Sequence, residues 1–197
     1  LLGRNGVGKT TTLKTIMGLV QPTGGTVTFN GHEISKLSPH QVPATGIGYI
    51  PQGRGIFPML SVEDNLFIGV SERPPKSIVD YVFDRFPRLH ERLKQAGGTL
   101  SGGEQQMLAT ARCLVRQPKL IILDEPTEGI MPILVKEIRR EIAAVREAGV
   151  SILLVEQNLK TAFQLCSRVY LMEKGLIVHQ AAAGELRTDK ETLHRYL

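Results

Sequence analysis

Apolar residues recur at two different spacings along the chain, and each spacing marks a different kind of element. Leu13, Ile16, Met17 and Val20 stand at i, i+3, i+4 and i+7, the rhythm of a helix burying one face. That helix starts at Lys9 and stops before Pro22-Thr23-Gly24-Gly25. Val27 and Phe29 alternate instead, and Asn30-Gly31 turns the chain into Glu33-Ile34 as a hairpin. A strand over Ile47–Ile50 closes at Pro51-Gln52, and the loop after it holds Ile56, Phe57 and Met59 in a polar setting, the mark of a contact surface. Ser61-Val62-Glu63-Asp64 has the composition of a helix start, and Val79, Val82, Phe83 and Phe86 form a helical face that Pro87 interrupts. Met107, Leu108, Ala111, Leu114 and Val115 place a helix over 103–115.

Beyond Pro118 short all-apolar runs alternate with amphipathic stretches: a strand at 120–123, a helix at 133–146, a strand at 152–155 and a helix at 159–166. Strands apolar on both faces with helices between them predict a parallel sheet. A hairpin pairing 168–172 with 176–180 and a terminal helix over 190–197 complete the pattern. The expected fold is α/β, one domain over 1–197, with a mainly parallel-sheet core at 1–52 and 117–197 and a helical subdomain at about 53–116.

Composition removes alternatives. With 197 residues, 42% of them hydrophobic and 22% charged, the chain has enough apolar surface for one packed core. Its apolar runs fall far short of the roughly 18 residues that cross a bilayer, and no signal peptide opens it. The net charge of +5 comes from Lys and Arg scattered rather than striped, so no nucleic-acid partner is expected. Cys113 and Cys166 sit in apolar helical patterns and read as buried thiols, in keeping with a cytoplasmic location.

Three segments carry chemistry. Gly3-Arg4-Asn5-Gly6-Val7-Gly8-Lys9-Thr10 fits GxxxxGK[ST], in which glycines let backbone N–H groups curve around an anion. The helix N-terminus adds partial positive charge, Lys9 reaches the outer phosphates, and the Thr10 hydroxyl is offered to Mg²⁺. Such a loop follows a buried strand, and only Leu1 and Leu2 precede it, so upstream strands are expected to be missing from this chain. Alone it leaves ATPase, GTPase and kinase open. Leu120-Ile121-Ile122-Leu123-Asp124-Glu125 then delivers two carboxylates at the end of a buried strand, Asp124 to help hold Mg²⁺ and Glu125 to orient or deprotonate water. Leu100-Ser101-Gly102-Gly103-Glu104-Gln105 makes a second anion-binding helix start.

With these three in order, the chain resembles the ATP-binding cassette (ABC) ATPases over its whole length, Leu100–Gln105 matching their signature motif. The resemblance implies a P-loop NTPase core with ATP and Mg²⁺ as cofactors. Gly3, Asn5, Gly6, Gly8, Lys9, Thr10 and Thr11 would hold nucleotide. Ser101, Gly102, Gly103 and Gln105 would also bind nucleotide, with Ser101 and Gly103 capping the γ-phosphate of a partner's. Gln52 matches the family's Gln loop, near Mg²⁺ and the attacking water, so Thr10, Gln52 and Asp124 form the expected metal set and Glu125, Gln52 and Gln157 the expected catalytic set. Glu128-Gly129-Ile130-Met131 occupies the D-loop. The chain departs from the family where Met131 stands for the usual Asp and Gln157 for the usual switch His, and the aromatic residue that stacks adenine would lie upstream of Leu1.

Pro51–Pro58, Asp124–Ile130 and Leu154–Asn158 resemble the ATP-binding subunits of branched-chain amino-acid and urea importers, Glu128-Gly129-Ile130 being nearer the urea branch. This implies an ATPase peripheral to the cytoplasmic face of the membrane. Its partners would be a second cassette subunit retaining the His, transmembrane permease subunits and, indirectly, a periplasmic or extracellular solute-binding protein. The alternative is a non-transport cassette ATPase of DNA repair or translation, but no sustained heptads separate loop from signature and only one cassette is present. A GTPase or small-molecule kinase lacks an Asn-Lys-x-Asp guanine reader and leaves Leu100–Gln105 unexplained.

Overall fold

A computed structural model describes residues 1–196. Helix α1, Lys9–Ile16, starts at Gly8, whose φ of 107° suits glycine. It ends earlier than the apolar spacing predicts. Gly18 at φ 70° turns the chain away, and Val20 falls outside the helix. β1 (Thr28–Phe29) and β2 (His32–Glu33) form the expected antiparallel hairpin, with Asn30 and Gly31 both at positive φ as a two-residue turn requires. A 3₁₀ turn at Val42–Thr45 leads into β3, Ile47–Ile50.

α2 (Val62–Phe67) is capped by the Ser61 hydroxyl, which accepts from the Asp64 N–H. α3 (Lys76–Arg85) and α4 (Pro87–His90) are separated at Phe86, because Pro87 opens a new helix rather than continuing the old one. After a 3₁₀ turn at Gly97–Thr99 comes α5, Gly102–Leu114. The remainder alternates β4 (Leu120–Asp124), α6 (Pro132–Glu147), β5 (Ser151–Val155) and α7 (Leu159–Leu165), followed by the antiparallel pair β6 (Arg168–Glu173) and β7 (Leu176–Ala182). α8, Ala183–Leu186, is too short to leave a periodic signal, and α9 is Lys190–Tyr196. Leu197, the last residue of the expected terminal helix, lies outside the described residues.

β3, β4 and β5 are parallel, with β4 central. Leu1 and Leu2 continue this layer: the Leu1 N–H group donates to Leu154 O at 2.7 Å, and Leu2 exchanges bonds with Tyr170 and Met172 of β6, each at 2.8 Å. The loop after Leu2 therefore leaves from the carboxyl ends of the strands, where parallel sheets place ligands. β4 is apolar on both faces for a visible reason. Ile121 and Leu123 join the cluster of Leu66, Val82, Leu108 and Ile138, whereas Ile122 packs with Leu13, Ile34, Ile47 and Val155. Truncating any of the Leu or Ile residues among these to Ala would cost about 2–5 kcal/mol. Cys113 is buried as expected, but Cys166, at the end of α7, is only half-buried.

Candidate functional site

The loop from Gly3 to Gly8 is shaped by close approach. A Cβ on Gly3 would lie 2.5 Å from Met172 O, so only glycine lets the loop pass over β6. Lys9 is buried, and its Nζ donates to Gly3 O at 2.7 Å and Arg4 O at 3.0 Å while standing 3.5 Å from Glu125 Oε1. The side chain is thus folded back under the loop, with its charge at the mouth of α1. Asn5, Gly6, Gly8, Lys9, Thr10, Thr11, Gln52 and Glu125 line a cavity of about 360 Å³.

Asp124 and Glu125 end β4 in contrasting states. Asp124 is 1% exposed, and neither carboxylate oxygen has a hydrogen-bond partner. Burial pushes its pKa up; the nearby Thr10 hydroxyl, which falls short of a well-formed hydrogen bond, and Lys9 pull the other way, while Glu125 adds to the rise. Glu125 sits at φ 50°, a left-handed conformation that strains a residue with a side chain by about 1–3 kcal/mol. Its N–H donates to Val155 O at 2.9 Å, so sheet pairing holds the strained turn in place.

Gln157 follows β5 and bridges two residues of the cavity lining. Its Nε2 donates to Asn5 Oδ1 at 2.6 Å and to Glu125 Oε1 at 2.8 Å. Gln52 Nε2 donates to Glu128 Oε2 at 2.6 Å, tying the segment after β3 to the segment before α6. Met131 is the N-cap of α6 and is exposed.

Ser101, Gly102 and Gly103 begin α5 with a capping box: Ser101 Oγ accepts from Glu104 N–H, and Glu104 Oε2 accepts from Ser101 N–H. Leu134 of α6 would lie 2.8 Å from a Cβ on Gly103, so that glycine sits against the segment after Met131. Gln105 Oε1 accepts from Arg54 Nη1 at 3.1 Å, and its Nε2 donates to Leu100 O at 3.1 Å.

The structure thus brings the loop residues, Gln52, Glu125 and Gln157 together, with Asp124 beneath Thr10 and Gly3 behind Lys9. Ser101, Gly102, Gly103 and Gln105 do not line this cavity. Sequence reasoning passed over Glu156, which is buried and holds Thr127, Gln157 and Asn158 through its carboxylate. A charged residue directly after the apolar run Ile152-Leu153-Leu154-Val155 was the available signal. The Gln52–Glu128 bond left no signal, since 76 residues separate the pair.

The comparisons agree with this geometry. Residues 1–128 match the family model described as "ABC transporter". The high-affinity branched-chain amino acid transport ATP-binding protein BraG of Pseudomonas aeruginosa is 40% identical over 200 residues, covering 100% of this chain and 86% of that protein. The lipopolysaccharide export system ATP-binding protein LptB of Escherichia coli is 36% identical over 202 residues, covering 100% of this chain and 84% of that one. Among solved structures, cbiO1 from Clostridium perfringens, part of the ABC transporter complex cbiONQ, superposes with a TM-score of 0.82 at 28% identity, covering 98% of this chain and 80% of that chain. This chain belongs to the ABC transporter family and is an ATP-hydrolysing cassette of the P-loop α/β type.

Proposed function

We propose that the chain binds Mg-ATP at the Gly3–Thr11 loop and energises an importer of branched-chain amino acids. The observation that carries the site is the convergence of Lys9, Gln52 and Glu125 on one cavity of about 360 Å³, with Gln157 bonded to the lining residues Asn5 and Glu125 and with Asp124 beside it. Loop amides and Lys9 neutralise phosphate charge. Glu125, held over the cavity by its strained backbone, orients and deprotonates the attacking water, and Gln52 assists it.

The donors near Thr10 fit Mg²⁺. The buried, unpartnered Asp124 carboxylate and a hydroxyl are hard oxygen ligands, and no cluster of three His, Cys, Asp or Glu able to hold a metal exists among the described residues. That is the pattern of an ion held by one carboxylate together with substrate phosphates. Thr10 and Asp124, with Gln52, would hold the ion, which when bound would supply charge stabilisation to the phosphoryl oxygens.

Ser101, Gly102, Gly103 and Gln105 complete a second chain's nucleotide site in a head-to-tail pair. This accounts for a signature helix that does not reach its own chain's cavity. Met131 and Gln157 support a heterodimer, because Gln157 acts at the site this chain anchors and Met131 at its partner's. Residues 53–116 act as the helical subdomain. Transmembrane permease subunits would be its membrane partners, and no helix among the described residues is long and apolar enough to cross a membrane. The protein would lie peripherally at the cytoplasmic face, with a solute-binding protein acting through the permease.

The identity to BraG supports a branched-chain amino acid as solute, and the run Glu128-Gly129-Ile130 favours urea as the second reading. The level of identity to LptB keeps export as a competing direction. Uptake of radiolabelled leucine and urea by vesicles holding this subunit and its permeases tests all three. Leucine accumulation dependent on internal ATP and abolished by Lys9→Ala is the expected result; neither solute accumulating would overturn the importer reading.

A further inference from the structure

Glu156 is a buried carboxylate that no cation within ion-pair distance neutralises among the described residues. Four hydrogen bonds take the place of a counter-charge. Oε1 accepts from Thr127 N–H at 3.2 Å and from Thr127 Oγ1 at 2.7 Å; Oε2 accepts from the N–H groups of Gln157 and Asn158, each at 3.2 Å. The two oxygens therefore divide their work. One grips the turn that follows Glu125, the other the backbone that launches the Gln157 side chain.

We propose that Glu156 is a positioning residue, whose carboxylate clamps these two segments so that the Gln157 amide meets Glu125. The inference rests on the reading of Glu125 and Gln157 as hydrolytic residues. Its geometry follows from strand register. Asp124 and Val155 are opposite one another in β4 and β5, so Glu125 and Glu156 are the next residues on adjacent strand ends. A carboxylate suits the task because all four partners are donors. Gln offers one acceptor oxygen, and its NH₂ would face N–H groups on the other side, leaving buried donors unmatched.

A clamp of this kind acts on the reaction only through Gln157, and a double-mutant cycle isolates that route. kcat and KM for Mg-ATP are measured on the purified subunit as wild type, Glu156→Gln, Gln157→Ala and the double variant, with circular dichroism confirming that each is folded. Misplacing a catalytic contact by about an ångström costs up to about 100-fold, so Glu156→Gln is expected to lower kcat by about tenfold or more. Its KM should stay within about twofold of wild type, because Glu156 itself touches neither Lys9 nor the loop amides that hold the phosphates. On the Gln157→Ala background the same change should have no further effect on kcat. Losses that multiply in the double variant, or an unchanged kcat in Glu156→Gln, overturn the proposal while leaving the site reading intact. An unchanged kcat in Gln157→Ala instead overturns the role of Gln157, and the clamp with it. Glu156→Asp keeps the charge and both oxygens on a shorter stem; it should retain more kcat than Glu156→Gln, and it carries the same cycle if the Gln variant does not fold.

Discussion

The helix starts at Gly8 and at Ser101 look alike in sequence, both being glycine-bearing turns ahead of an amphipathic helix, yet the structure treats their polar groups differently. Around Gly8 the charged groups are crowded and poorly matched. Lys9 is turned onto backbone carbonyls, Asp124 is buried with both oxygens unpaired, and Glu125 is held at φ 50°. Around Ser101 the capping box matches Ser101 with Glu104, and Arg92 pairs with Glu104 at 3.0 Å. Only the amides of Gly102 and Gly103, which helix geometry leaves without intrahelical partners, remain to be used. The first site carries conflict that a polyanion and a cation would relieve, and the second is settled within its own chain. A ligand should therefore change the first site strongly, whereas the second should matter chiefly when another chain is present.

The strongest way to break this contrast is at Glu125. Glu125→Gln should lower turnover about 10²- to 10⁴-fold with ATP binding retained, because only the proposed base is lost. Steady-state hydrolysis beside equilibrium nucleotide binding tests it, and full turnover by a clean preparation would remove Glu125 from the chemistry. Lys9→Ala should weaken Mg-ATP binding about 10- to 150-fold, the loss expected when charge-assisted bonds to phosphate go. Calorimetric titration reads this directly.

Asp124 gives the next largest effect, and its sign is opposite to that of most active-site changes. Burial raises its pKa above the unfolded value, so its contribution favours folding at low pH and is lost as pH rises through the folded pKa. Above the folded pKa, without Mg²⁺, the ionised carboxylate is a burden. Asp124→Asn should then raise the melting temperature by on the order of 2–4 °C, as relief of about 1 kcal/mol would. That gain should shrink as the pH falls through the folded pKa, and added Mg-ATP should stabilise wild type but not the variant. A lower melting temperature for Asp124→Asn throughout the pH range would show that Asp124 is not strained.

At the second start the expected change is smaller and of another kind. Ser101→Ala removes an N-cap worth about 1 kcal/mol, so the melting temperature should fall by about 2–4 °C. Nucleotide affinity of the isolated chain should hold while turnover of the paired subunits drops. Weakened ATP binding in the isolated chain would place Ser101 at its own chain's cavity and erase the distinction between the two starts.

Much of this is legible in the sequence. β4 was readable because Ile121, Ile122 and Leu123 must be apolar on both faces, and the Gly8–Lys9–Thr10 step because few other functions need that order. Local rules also found the Ser61 and Ser101 caps. The end of α1 escapes local reading because Val20 keeps the helical spacing after Gly18 has ended the helix, and half-exposure of Cys166 depends on its place after α7. The positive φ of Glu125 and the bonds of Glu156 depend on how β4 and β5 align, a long-range fact that no local spacing encodes.

The smallest effect lies at Gln157 and sharpens the account of the first start. Its amide nitrogen carries two hydrogens, and both are committed, one to Asn5 and one to Glu125. Donation to a γ-phosphate therefore means giving up a bond already made, and the donated group brings no net charge. A histidine in this position could keep Glu125 with one ring N–H and offer the other nitrogen to phosphate, and its imidazolium would add positive charge where negative charge gathers. Gln157→His should raise turnover at this chain's site about two- to fivefold, as a net gain of about 0.5–1 kcal/mol would. The same variant should acquire a pH dependence near the ordinary histidine range, about pH 6.5, that wild type lacks. Turnover is measured across pH with the partner's phosphate-loop Lys changed to Ala, so that only the site built on Lys9 reports. An unchanged rate and a flat profile would mean that Gln157 already does what His does, and the case for unequal sites in a heterodimer would fall with it.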